Sequence, residues 1–154
     1  MKRIEKLLFM GFAILLILIS AQKEVGGADW KYYINTQYSR EYFDKLNIIK
    51  DNDTCKIWIK KVWTNEGKKL SKNILEDQEI NSKEYDLLSY TLQLTEINKN
   101  ERKWRIAEIW DYDLNQRLIS AHEYYKEADY NKKWHNMVPA SAIEKLMKFG
   151  CRRR

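Results

Sequence analysis

Residues 54–64, with the sequence TCKIWIKKVWT, give the clearest strand signal in the chain. The stretch is rich in β-branched and aromatic residues, which favour β-strands. Since successive side chains of a strand point to opposite faces, one face carries three apolar residues: Cys55, Ile57 and Ile59. The other face carries a tryptophan between two lysines: Lys56, Trp58 and Lys60. The pattern predicts a strand with one face against a core and a second face of mixed character.

Further strand signals lie on both sides of this stretch, at residues 30–35, 41–43, 85–97, 103–112 and 118–125. Alternation predicts that Trp30, Tyr32 and Ile34 share a face in the first of these strands. In residues 103–112 it places Trp104, Ile106, Glu108 and Trp110 together. Residues 44–53 are predicted to form a turn region that buries Ile48 and Ile49. Residues 65–84 are mostly polar and predict a long exposed connection with at most one helical turn. Such a connection is either mobile and functional or a tolerated surface excursion.

The C-terminal segment has the pattern of a short helix. Ser141 followed by Glu144 forms a capping box, in which each side chain accepts from a free amide of the first turn. Residues 142–149 form about two turns, with Ile143, Leu146 and Met147 on one side and Gly150 following on the same side as a helix stop. Two turns do not persist alone in water, so the helix must pack on the sheet. The predicted fold class is α+β, a meandering antiparallel sheet of about five to six strands with one short C-terminal helix on one face.

The N-terminus has the pattern of a secretory signal peptide. Lys2, Arg3 and Lys6 precede an apolar run over residues 7–19, too short for a membrane-spanning helix. The prediction is a signal peptide over residues 1–28, with cleavage after Ala28 or Ala21, followed by a single domain over residues 29–154. The protein would then be exported, to the periplasm or the cell surface. The alternative is a short uncleaved membrane anchor.

Composition and charge restrict the function further. The chain has 154 residues, 44% hydrophobic and 32% charged, with two cysteines. This composition excludes a disordered chain and a disulfide-dense scaffold. The net charge is +6 for the whole chain, and residues 29–154 hold 24 basic and 20 acidic residues, or +4. Three of these basic residues are terminal: Arg152, Arg153 and Arg154. Without a clustered basic face, nucleic-acid binding is disfavoured.

Residues that could carry catalysis or bind metal are few. The two histidines, His122 and His135, lie in no spaced ligand set, and a structural role is expected for both. The acidic residues Glu76, Asp77 and Glu79 lack the alternation of a calcium loop. We therefore predict no catalytic residue, no metal site and no cofactor.

Aromatic residues are the unusual feature, with 6 Trp and 10 Tyr, all within residues 29–154. Trp58 between Lys56 and Lys60 resembles the arrangement that binding surfaces use, so these residues are predicted to form a partner-binding face. The alternative is that Trp58 is covered by residues 65–84 or by a second copy of the domain. The predicted function is a non-enzymatic exported binding module whose partner is a host or envelope protein. A structural or homo-oligomeric envelope protein is the main alternative, and a secreted hydrolase is disfavoured because its site residues are missing.

The order of these segments, from Trp30 to Cys151, resembles the surface-adhesin protein E family of small exported bacterial domains. The resemblance lies in short motifs: Tyr42-Phe43-Asp44, Ile48-Ile49, Lys56-Ile57-Trp58-Ile59-Lys60, Glu96-Ile97, Arg102 to Ile106, Tyr112-Asp113, and the closing Trp134, Pro139, Ser141, Glu144, Leu146 and Cys151. It implies a small antiparallel sheet with a C-terminal helix, a surface or periplasmic location, and adhesion to host proteins.

The resemblance also implies an expectation for the cysteines. The family usually places its first cysteine just after the motif seen here as Glu96-Ile97, where this chain has Asn98. If residues 54–64 and 85–97 pair with Val62 opposite Thr91, Cys55 lies opposite Asn98 and replaces it. A Cys55–Cys151 disulfide is therefore predicted, although a one-residue slip would turn Cys55 away. Two free thiols and an intermolecular bridge are the alternatives.

Overall fold

The computed structural model describes residues 27–78 and 82–151. Its antiparallel strands are β1 (Trp30–Asn35), β2 (Ser39–Asp44), β3 (Ile49–Lys50), β4 (Thr54–Trp63), β5 (Leu88–Asn98), β6 (Lys103–Asp113), β7 (Leu118–Glu123) and β8 (His135–Asn136). Its helices are α1 (Asn65–Asp77) and α2 (Ala142–Gly150), with short 3-10 turns at Lys83–Leu87, Tyr124–Lys126 and Tyr130–Lys132. The α+β class is confirmed. The predicted signal peptide lies outside the described residues, except for its last two positions.

The sheet is a meander in which each long strand pairs with its neighbour in sequence. Its order is β1-β2-β4-β5-β6-β7, with β3 added to β4 and β8 added to β6. The two added strands raise the strand count to eight, above the five to six predicted. They escape the alternation pattern because each has two residues. Among the described residues, no helix has the length and apolar character needed to cross a membrane.

One face of the sheet is covered by α2 and is called the helix-covered face. Its core consists of residues almost inaccessible to solvent, among them Ile57, Ile59, Ile97 and Leu146. Ile143 and Met147 of α2 pack against this cluster, as the helix pattern predicts. Gly150 ends the helix so close to the sheet that a Cβ there would lie 2.5 Å from Ile57 Cδ1.

The distance between the two cysteines agrees with the predicted disulfide. Cys55 and Cys151 are bonded, and their Cα atoms lie 5.9 Å apart. The register assumed for it is wrong by one residue. Cys55 lies opposite Ile97 and Val62 opposite Tyr90, so Thr54 faces Asn98. The two cysteines still meet, because alternation within β4 alone places Cys55 on the face that α2 covers.

Irregularities in two strands overturn the predicted faces. A bulge opposite Leu94 and Thr95 inserts one residue into β6, so Trp104 packs at the helix-covered core while Trp110 turns to the opposite face. A second irregularity at Tyr33 of β1 buries this side chain against Phe43. Tyr32, predicted to share a face with Trp30 and Ile34, is 58% exposed. A single inserted residue reverses the parity of all residues beyond it.

The prediction for residues 65–84 is wrong, because most of this segment is the thirteen-residue helix α1. Thr64 caps the helix by accepting from the amide of Gly67. The 3-10 turn Lys83–Leu87 follows, so β5 begins at Leu88 rather than at residue 85. Two smaller differences are that β7 ends at Glu123 and that Ile49 is 61% exposed.

Candidate partner-binding face

The sheet face opposite α2 carries most of the accessible aromatic side chains and is called the aromatic face. Its rings come from five strands: Tyr32, Tyr42, Trp58, Tyr90, Trp110 and Tyr112. Residues directly opposite in an antiparallel pair share a face. One row of opposed residues therefore crosses the sheet from β1 to β6: Tyr32, Tyr42, Lys60, Leu92 and Trp110.

Ring contacts within this face hold the side chains in defined positions. The Tyr32 and Tyr42 rings meet edge to face, with 5.9 Å between centroids. Tyr90 and Tyr112 stack with 4.9 Å between centroids, and Lys60 Nζ lies 4.5 Å from the centre of the Tyr90 ring. Such cation–π and aromatic contacts fix rotamers before a partner arrives, which lowers the entropy lost on binding.

Partial burial raises the pKa of both Tyr90 and Tyr112. Both hydroxyls therefore remain protonated at neutral pH. The stacked pair thus presents two neutral hydroxyls that can donate to, or accept from, a bound surface.

The two sequence interpretations expect Trp58 to be either exposed or covered, and the structure shows an intermediate case. Its ring lies 5.4 Å from that of Trp110, and it packs against the small cluster of Leu94, Ala107 and Tyr130. Neither α1 nor the turn Lys83–Leu87 covers it, because both pack beside residues of the opposite face. Trp58 is half-buried and forms the edge of the open area.

The three predicted binding residues lie together on this face but in different surroundings. Lys60 lies in the open row, next to Tyr90 and Tyr42. Lys56 lies opposite Glu96, at the end of the face that residues 124–134 close. Lys60 and Trp58 are therefore the two that belong to the accessible area.

The closed end is built around Arg105, which is buried. Its side chain pairs with Glu96 at 2.8 Å and lies between two rings, 3.7 Å from the centre of Tyr130 and 4.2 Å from that of Trp134. Tyr130 also donates to Glu96 at 2.9 Å. These contacts tie the segment after β7 to the sheet, so the aromatic face is bounded on this side.

The helix cap is confirmed for Ser141 and altered for Glu144. The Ser141 hydroxyl accepts from the amide of Glu144 at 3.3 Å, while the Glu144 carboxylate accepts from Ala140 rather than from the cap residue. Arg102 donates to the same carboxylate at 2.6 Å. These donors, led by Arg102, lower the pKa of Glu144 to about 2.

The two histidines are placed apart and have local partners. His122 in β7 is bonded to Glu127 and touches the Tyr124 ring, and His135 in β8 lies against Trp104. In the described part of the chain, no group of three potential metal ligands comes together. Glu76 lies near the end of α1, where it accepts from Ser82, while Glu79 lies outside the described residues.

The sequence signal for the rest of the aromatic face was present but ambiguous. Tyr90, Trp110 and Tyr112 each fit a strand pattern, and their face depends on a register and a bulge that alternation does not encode. Comparison with family models, with curated proteins and with solved structures found no match to this chain. The resemblance to the surface-adhesin protein E family therefore stays a prediction.

Proposed function

We propose that this protein is an exported, non-enzymatic binding module that contacts a host or envelope protein through its aromatic face. The observation that carries the proposal is the row of Tyr32, Tyr42, Lys60 and Trp110 across the sheet face opposite to the one that α2 covers. Tyrosine and tryptophan, held in place and partly accessible, are the residues that most often anchor protein interfaces. The apolar run at residues 7–19 and the Cys55–Cys151 disulfide support export.

The charges of this face indicate which surface it would fit. Arg40 lies in β2 opposite Val62, and Lys60 lies one row further along, so both cations border the tyrosine rings. An acidic partner surface with its own apolar centre would be attracted to this arrangement and oriented by it.

A matched pair of double variants tests the proposal. Tyr32→Ala with Lys60→Glu removes an exposed ring and reverses a charge on the aromatic face. Phe149→Ala with Lys145→Glu makes the same changes on the outer side of α2, where Phe149 is 62% exposed. A partner captured from envelope or host-matrix extracts and identified by mass spectrometry should bind the first variant about tenfold or more weakly. It should bind the second as it binds the unaltered protein.

Equal binding of all three proteins would contradict the proposal. Light scattering separates the main alternative, because a stable dimer that only the aromatic-face variant dissociates would show that the partner is a second copy.

A further inference from the structure

A cavity of about 490 Å³ lies on the other side of the molecule, between α1, the turn Lys83–Leu87 and strands β6 and β7. This volume is within the range of small-molecule sites in proteins. Leu75, Ile109 and Ile119 give the cavity an apolar wall. Its polar groups converge from the turn and from β6, so the cavity combines an apolar body with a small number of placed polar atoms.

One polar group of the lining is the half-buried carboxylate of Asp111. It accepts from the Tyr85 hydroxyl at 2.8 Å and from the Thr91 hydroxyl. The indole of Trp63 in turn donates to Thr91 at 2.8 Å. This chain of donors orients the carboxylate.

Tyr85 supports the same arrangement. Burial, followed by the charge of Asp111, raises the pKa of Tyr85 to about 12. The phenol therefore remains a neutral donor at physiological pH and brings no competing negative charge. Two hydrogen bonds leave the carboxylate with free acceptor positions, since a carboxylate offers about four.

The charge of the lining is mainly acidic. Glu84 and Asp111 are carboxylates, and none of the described residues that line the cavity is lysine or arginine. His122 also lines the cavity, and its ring is bonded to Glu127. The nearby Lys72 is held at 2.7 Å by Asp86. The whole chain, in contrast, is basic, with a net charge of +6. An acidic cavity in a basic protein selects cations over anions.

Two further features define the kind of cation. Tyr85 and Tyr124 line the cavity, and aromatic rings attract organic ammonium groups. The Tyr124 ring already has Lys133 Nζ 5.1 Å from its centre, which leaves Tyr85 as the ring for a ligand. No three metal ligands meet anywhere in the described residues, so the carboxylates here are not arranged as a metal site. We propose that this cavity binds a small organic ammonium ion, with its charged nitrogen at Asp111 and its apolar body against Leu75, Ile109 and Ile119.

This site is independent of the proposed partner-binding function. Asp111, Thr91 and Trp63 share the sheet face of Cys55 and Ile57, opposite to the aromatic face. Loss of partner binding would leave the cavity unchanged, and the reverse also holds.

The test uses three probes of the same shape and different charge: benzylamine, benzyl alcohol and benzoate. Titration of the purified protein, followed by amide chemical shifts in NMR, measures the affinity and the location of each. Benzylamine should perturb Ile109, Ile119 and Tyr85 and bind about tenfold or more tightly than benzyl alcohol, because a charge-assisted hydrogen bond forms. Benzoate should not bind.

Variants then test which carboxylate binds the ammonium group of benzylamine. Asp111→Asn should weaken benzylamine about tenfold or more and leave benzyl alcohol unchanged. Glu84→Gln at the exposed rim should weaken it less, and Glu101→Gln, which removes an exposed carboxylate elsewhere, should have no effect.

Equal affinity for the amine and the alcohol would overturn the proposal. So would unchanged benzylamine affinity in a folded Asp111→Asn protein, or shifts confined to residues outside the cavity. If Asp111→Asn does not fold, the probe series and Glu84→Gln decide the question alone.

Discussion

Arg105 combines an ion pair, hydrogen bonds and two ring contacts in one buried side chain. It is buried, pairs with Glu96 at 2.8 Å and stacks between Tyr130 and Trp134. Arg105→Ala would leave the Glu96 charge buried without its cation, so we expect a loss of about 3–5 kcal/mol in the free energy of unfolding. Lys103→Ala in the same strand removes an exposed pair with Glu101 and should cost under about 1 kcal/mol. Urea unfolding measures both, and equal losses would contradict the buried role of Arg105.

The lowered pKa of Glu144 predicts how the stability of the folded protein changes with pH. The Arg102 guanidinium, the Ala140 amide and the Lys148 ammonium lower the pKa of Glu144 from 4.5 to about 2. Because the folded-state pKa is the lower one, its contribution to stability is complete above pH 4.5 and is lost as the pH falls toward 2.

Glu144→Gln should therefore lower the urea midpoint at pH 6 and flatten its fall between pH 4.5 and 2. Glu101→Gln, an exposed carboxylate in a surface pair, serves as the control and should leave this fall as steep as in the unaltered protein. A fall equally steep in the Glu144→Gln protein would show that other groups cause it.

At the scale of elements, α1 depends on one close approach. A Cβ at Gly67 would lie 2.1 Å from the Tyr38 carbonyl oxygen and 2.8 Å from the Trp63 ring. Gly→Ala in a helix interior ordinarily stabilises by about 1 kcal/mol, but here the backbone would have to shift. We expect Gly67→Ala to destabilise by about 1–3 kcal/mol. Asn73→Ala at an exposed position of the same helix should instead stabilise slightly, and thermal unfolding of both proteins compares the two signs.

The helix α1 also shows why part of the fold could not be predicted from the sequence. The apolar side chains of α1 are those of Leu70, Ile74 and Leu75. Leu70 and Ile74 are 40% and 47% exposed, and Leu75 is half-buried at the cavity. The helix therefore has no fully buried apolar stripe that periodicity could detect. Its position depends instead on the Thr64 cap and on the absence of a side chain at Gly67. The helix α2 was predictable because its cap and its apolar stripe coincide.

In the sheet, too, some features could be predicted from the sequence and others could not. The faces of β4 followed from alternation alone, and with them the place of Cys55. The register of β5 and the bulge in β6 are long-range properties that local sequence does not encode. Alternation thus placed Trp58 and Lys60 together on the aromatic face, whereas it could not place Tyr32, Trp110 and Tyr112 there.

At the scale of the whole molecule, the Cys55–Cys151 bond joins the sheet to the last residue of the described chain. It closes a loop with a sequence separation of 96, which the chain-entropy model values at nearly 5 kcal/mol. Reduction should lower the urea midpoint accordingly, and the Cys55→Ala, Cys151→Ala protein should already have the lower midpoint and not respond to reductant. Nonreducing peptide mapping should recover the 55–151 peptide pair from monomer. Two alkylatable thiols in native, unreduced protein would contradict the bond.

Export, as proposed, would bring the chain into an oxidising compartment, where disulfides persist. Cations at residues 2, 3 and 6 precede thirteen apolar residues, and Gly26 and Ala28 supply small residues before a cleavage point. Mass spectrometry of the protein from the periplasm or medium should therefore give a chain that begins at Asp29 or Gln22.

Leu15→Arg interrupts the apolar run and should retain the full chain inside the cell with both thiols alkylatable. Leu70→Arg adds the same charge at an exposed position of α1 and should be cleaved and oxidised normally. A membrane-bound chain that begins at Met1 would instead support the anchor, and the same mapping would then show whether its two cysteines face an oxidising compartment.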